Sequence, residues 1–89
     1  MNAIIAVIGH DKVGILAAIS TICSQNNANI IDVNQTIMQD YFTMIMLVKI
    51  DSLNCSFGAF SDKVIAAGKE IGMTTHVMHE DIFNSMHRI

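Results

Sequence analysis

Three kinds of side chain in this chain of 89 residues can do chemistry: four histidines, two cysteines and eight carboxylates. Their spacing assembles no catalytic set. Ser, His and Asp all occur, but not in a Gly-x-Ser-x-Gly elbow, and neither Cys23 nor Cys55 has a histidine beside it in sequence. A P-loop is absent, and no Gly-x-Gly-x-x-Gly follows the first apolar run. Asp11 and Asp32 are the carboxylates that can approach each other, at the ends of the first and second strands. The chain is not expected to be an enzyme, and no cofactor is expected.

The histidines offer a metal site only under conditions. His76 and His79 lie three apart on an expected strand, which points them to opposite faces. That spacing suits a helix better for shared ligation. His79 and His87 converge only if the tail folds back. A site built from His76, His79 or His87 thus competes with a plainer reading, surface histidines on an edge strand and its tail.

The turn Gly9-His10-Asp11-Lys12-Val13-Gly14 is the most informative segment. It joins an apolar run to a helix, and the free backbone amides at a helix start, here residues 12–16, make an anion site at the positive end of the dipole. Gly9 and Gly14 permit close approach and unusual dihedrals there. The carboxylate of a small metabolite can dock on such a turn. Alternatively, Asp11 caps the helix and Gly14 packs against the sheet.

The elements that must hold this turn follow from periodicity. Residues 3–8 are a continuous apolar run of strand formers, the pattern of a central strand buried on both faces. From Gly14 the period becomes helical, with Ile15, Leu16, Ile19, Ile22 and Cys23 inward and Ser20, Ser24 and Gln25 outward. The Asn-rich cluster 25–29 ends that helix. Residues 30–38 alternate, with Ile31, Val33 and Ile37 on one side and Asp32, Asn34 and Thr36 on the other. A turn at 39–41 leads to a strand over 42–50, so close that the pair must be an antiparallel hairpin. Ser56 is placed to cap a second helix whose inner face is Phe57, Phe60, Val64, Ala67 and Ile71. Gly72 ends it, and residues 73–79 read as the last strand.

This order predicts an α+β, ferredoxin-like βαββαβ fold, a four-stranded antiparallel sheet with two helices on one face. One domain is expected over residues 1–89, with a core over about 1–79 and a tail over 80–89 of one or two helical turns. Its other sheet face must be solvated or covered by a second subunit. Met38, Met44 and Met46 in the hairpin suit either a core or an adaptable interface.

Composition sets the partners. Hydrophobic residues are 52% and charged residues 15%, where an ordinary domain carries about 25% charged. Too few charges remain to wet the whole surface, which favours a homo-oligomer. The net charge is −3, and the five basic residues form no run, so direct nucleic-acid contact is not expected. No membrane segment is expected either, because the uncharged stretch 13–31 contains Ser20, Ser24 and four Asn or Gln residues near its end. Two distant cysteines without Cys-x-x-Cys spacing read as reduced thiols of a cytoplasmic protein.

The segment Gly9-His10-Asp11-Lys12-Val13-Gly14-Ile15-Leu16 resembles the Asp-Arg-Pro-Gly-Leu-type turn of ACT domains, small amino-acid-sensing regulatory modules. Asn29-Ile30-Ile31-Asp32-Val33-Asn34-Gln35-Thr36 is similar to the family's second strand, and residues 37–46 look like a bacterial and archaeal subgroup of stand-alone ACT proteins. Val13 stands where the family commonly has Pro, which leaves the turn less rigid. The resemblance implies an amino-acid effector bound between the turn of one subunit and the second strand of its partner. The implied ligand residues are His10, Asp11, Val13, Gly14, Ile15 and Leu16 from the turn, and Asn29, Ile30, Ile31 and Asp32 from the strand. Asp11 or Asp32 would pair with an amino group, and the helix-terminal amides with a carboxylate. With no catalytic domain in the chain, the expected target is a separate protein. Two alternatives accompany this reading: a ligand-independent dimerisation module, and a regulator akin to the glycine-cleavage repressor. The dimer can form by pairing edge strands or by stacking open sheet faces.

Overall fold

The apolar run after Met1 becomes the centre of a sheet. The computed structural model describes residues 1–86, in the order β1 (Asn2–His10), α1 (Ile15–Gln25), β2 (Asn29–Met38), β3 (Tyr41–Lys49), α2 (Phe57–Glu70), β4 (Thr74–His79) and α3 (Glu80–Met86). The four strands form one antiparallel sheet in the order β2-β3-β1-β4. This is the ferredoxin-like βαββαβ arrangement with a short helix added. Because β2 and β1 are both antiparallel to β3, they run parallel to each other, and β2 is an edge.

One face of the sheet carries the core. Ala3, Ile5 and Val7 of β1 alternate into register with Phe42, Met44, Met46 and Val48 of β3. They meet Ile15, Ile19 and Cys23 of α1 and Phe60 and Val64 of α2 in one buried cluster. Burial pushes the Cys23 thiol from 9.0 up to about 11. The folded chain thus keeps this thiol neutral where the unfolded chain ionises it. Stability should therefore be unaffected by this group below pH 9.0 and fall as the pH rises toward about 11. Denaturant unfolding at stepped pH should show that fall reduced in Cys23→Ala.

The ends of both helices are built alike. After α1, Asn27 adopts φ 60°, and the Ala28 and Asn27 amides donate to the Cys23 and Ser24 carbonyls at 2.9 and 3.3 Å. After α2, Gly72 adopts φ 76°, and the Met73 and Gly72 amides donate to the Gly68 and Lys69 carbonyls at 2.8 and 3.0 Å. Both are Schellman endings, with a buried Ala28 or Met73 following the left-handed residue. At the start of α2 the Ser56 hydroxyl accepts from the Ala59 amide at 3.1 Å, the cap its position predicts.

Three expectations are corrected. The first strand does not stop at Gly9: it continues to His10, where Gly9 pairs with Phe42 and His10 with Tyr41. A Cβ on Gly9 would lie 2.6 Å from Met73 Sδ, so this glycine serves close packing beneath the turn. Nor is β1 buried on both faces along its length, since Ile8 is exposed while Ile4 is buried. The second strand does not alternate evenly either. Ile30 pairs with Val48 and Asp32 with Leu47, which makes Ile31 the extra residue of a β-bulge. Beyond it, Val33, Gln35 and Ile37 share the helix-side face, while Ile31 does not belong to their set.

Candidate functional site

α1 packs on α2 far more than on β2, so the helix-side face of β2 is left partly uncovered. Between α1 and this strand runs a groove. Its wider end, about 500 Å³, is lined by Asp11, Lys12, Gly14, Ile15, Leu16, Ala17, Ser20, Gln35, Ile37 and Phe42. A second cleft of about 480 Å³ lies along the same helix, lined by Ser20, Thr21, Ser24, Ala28, Asn29 and Ile30. Ser20 lines both.

The wider end combines donors with an apolar wall. Gly14 is the residue before α1, at φ 90°, and neither a side-chain cap nor an acidic residue in the first turn occupies the helix start. The first return bond runs from the Ala18 amide to the Gly14 carbonyl at 3.0 Å. The amides of Ile15, Leu16 and Ala17 therefore have no acceptor within the helix, and the dipole favours an anion beside them. Leu16, Ile37 and Phe42 supply the apolar wall, while Asp11, Lys12, Ser20 and Gln35 supply polar groups. Asp11 does not cap α1; its own amide donates to the Asp40 carbonyl at 2.8 Å, which ties the turn to the β2–β3 hairpin. Lys12 extends over Gly72, where a Cβ would lie 3.4 Å from Nζ.

Of the turn residues singled out above, Asp11, Gly14, Ile15 and Leu16 line the groove. His10 and Val13 do not. The His10 ring stacks on Tyr41 at 5.3 Å, with Nδ1 3.5 Å from Asp40 Oδ2, and Val13 stands fully exposed at the apex. The strand residues divide as well. Asn29 and Ile30 line the narrower cleft, Ile31 is the bulge, and Asp32 faces away. Its Oδ1 accepts from the neighbouring Val33 amide at 2.9 Å.

Asp11 and Asp32 do not meet. Since β1 and β2 run parallel, the turn after His10 lies level with Met38, whereas Asp32 lies level with Leu47 and Ile4. Ala17, Ser20, Gln35, Ile37 and Phe42 were not anticipated, nor was the Lys12 side chain. A polar residue spaced by two between Val33 and Ile37 was the available signal for Gln35.

The histidines do not form a cluster. His76 pairs with Ala6 on one face, and His79 turns to the other and stacks on Phe57 at 4.1 Å. Among the described residues no group of three or more His, Cys, Asp or Glu side chains can hold a metal; His87 lies outside them. Among the described residues, too, no helix is long and apolar enough to cross a membrane.

The chain is thus a small two-layer βαββαβ domain with a groove where its first turn meets its second strand. The chain belongs to the ACT domain family, whose model matches residues 2–78. It is 48% identical over 88 residues to a UPF0237 protein of Methanococcus maripaludis, covering 99% of this chain and 98% of that one. Its fold is similar to that of an ACT domain protein from Streptococcus pneumoniae, with TM-score 0.80, 33% identity and 98% of each chain covered. A putative glycine cleavage system transcriptional repressor shares the fold at TM-score 0.72 and 22% identity, with 85% of this chain but 43% of that chain covered.

Proposed function

We propose that this chain is a regulatory module that binds a small molecule, an amino acid, in the α1–β2 groove and works as a homodimer on a separate target protein. The observation that carries this reading is the uncapped start of α1 facing an apolar strand edge. A carboxylate is received by the amides of residues 15–17, an ammonium group by Asp11 or Gln35, and the side chain lies against Leu16 and Ile37.

The homodimer accounts for the separation of the two groups of site residues. β2 is a free edge, and pairing it antiparallel with its copy about the strand's middle sets the partner's residues 29–32 opposite residues 35–38. That position is level with the first subunit's turn. Each ligand is then shared by the turn of one protomer and the β2 start of the other. Its differential affinity for one dimer arrangement shifts the population toward it, and the target reads the result.

An amide NMR titration of the labelled protein with each of the twenty amino acids tests this. One amino acid should perturb the amides of residues 14–17 and 35–37 saturably. No perturbation, or perturbation confined to residues outside the groove, would overturn the assignment.

A further inference from the structure

The groove between α1 and β2 has a charged end and an uncharged floor. Among its lining residues only Asp11 and Lys12 carry charge, and both belong to the turn that starts α1. From there α1 and β2 run in opposite directions, since Ile37 lies at the wider end and Asn29 and Ile30 at the narrower one. Ser20 is five residues into the helix from Ile15, about 7.5 Å along its axis. Gln35 is two residues back along the strand from Ile37, about 6.6 Å. The two polar side chains are therefore level across the groove, beyond the apolar pair Leu16 and Ile37.

Ser20 and Gln35 differ in what they can offer. The Ser20 hydroxyl donates to the Ala17 carbonyl at 3.2 Å, so toward the groove its oxygen only accepts. Gln35 stands exposed in the groove, and its carboxamide offers donors and an acceptor. A ligand group that answers both donates to Ser20 and accepts from Gln35, which a carboxamide does. A carboxylate only accepts and would face the Ser20 lone pairs, and an alkyl end would leave both polar groups without a partner. An ammonium end would be a charge with no counter-charge at that depth. A hydroxyl on the ligand's β-carbon stops level with Leu16, whereas two methylene groups carry a carboxamide past Leu16 and Ile37.

We propose that the groove selects an amino acid whose side chain ends in a carboxamide two methylene groups from Cα, glutamine, and that Gln35 and Ser20 are the residues that select it. On the amino-acid reading of the groove, on which this selection rests, the ammonium group goes to Asp11 and Gln35 is left to the side chain. Isothermal titration calorimetry of the full chain with glutamine, glutamate, leucine and tyrosine tests it. Glutamine should bind roughly tenfold or more tighter than each of the others, because a site that hydrogen-bonds its ligand rejects analogues that cannot answer. Gln35→Met keeps the length and removes the polar atoms, and should cut the preference for glutamine over leucine roughly tenfold. Ser20→Ala should act in the same direction, and carries the test alone if the first variant does not fold. Equal affinities, a different amino acid bound more tightly, or an unchanged preference in a folded variant overturns the selection while the amino-acid reading stands. No saturable heat or amide shift with any of the twenty amino acids overturns both.

Discussion

Gly68→Ala should lower the stability of this domain by about 2 kcal/mol, within the range for overpacking a well-filled core. In most helix interiors the same exchange gains about 1 kcal/mol through backbone entropy and propensity. Here α2 lies directly on β4: a Cβ on Gly68 would collide with Thr75 Oγ1 and sit 3.0 Å from Thr75 Cβ. Neither side can yield cheaply, because both residues are buried and interiors are close-packed. Among the described residues the Thr75 hydroxyl is itself buried with no hydrogen-bond partner, a cost the fold tolerates for this close approach. In a domain this small, 1 kcal/mol moves Tm by about 4–8 °C, so thermal unfolding should show a large drop. The double variant Gly68→Ala, Thr75→Ala should recover most of it. Strict additivity of the two substitutions would contradict the packing argument.

The second large effect is expected at Gly14. No atom lies within 4 Å of a Cβ built on Gly14 or on Gly58, yet the two glycines should respond oppositely. Gly58 sits in the first turn of α2 and has no unusual φ, so Gly58→Ala should be neutral or slightly stabilising. Gly14 holds φ 90° at the start of α1, a conformation that costs a β-branched residue about 1–3 kcal/mol. Gly14→Val should therefore destabilise the domain by that amount despite the empty space. If the groove binds an amino acid as proposed, Gly14→Val should also weaken that binding at least tenfold, because relief of the strain moves the amides of residues 15–17. Denaturant unfolding and equilibrium dialysis give the two readouts; a variant with lowered stability but unchanged affinity would separate the turn from the ligand.

Much of this architecture was legible in the residue pattern, for physical reasons. Alternation in residues 42–50 and helical spacing in 57–71 arise directly from burial on one face, and Asn27 and Gly72 end their helices where left-handed residues are tolerated. The bulge at Ile31 was not legible, because one inserted residue shows only when a strand is aligned with its partner. That single insertion exchanged the face of Ile31 and left Gln35 and Ile37 beside the helix. The site was half legible for the same reason. The turn residues declare themselves by Gly spacing and a helix start. The strand's contribution depends on register, on the parallel run of β1 and β2, and on how little of β2 is covered by α1. Asn26 was also hidden. It read as one of several Asn residues ending a helix, but it is buried and its Oδ1 accepts from Lys63 Nζ at 3.0 Å and Cys55 Sγ at 3.5 Å. It thereby ties the end of α1 to the loop before α2 and to α2 itself.

Amino-acid binding in the groove is tested by thermal unfolding of the wild-type protein with each of the twenty amino acids in turn. At one hundred times its dissociation constant, a ligand of the folded state adds about 2.7 kcal/mol, which in a domain of this size raises Tm by roughly 10–20 °C. One amino acid should do this, and the response should be lost in Asp11→Ala while that variant's own Tm stays near the wild type. Twenty flat responses from a folded protein would contradict it.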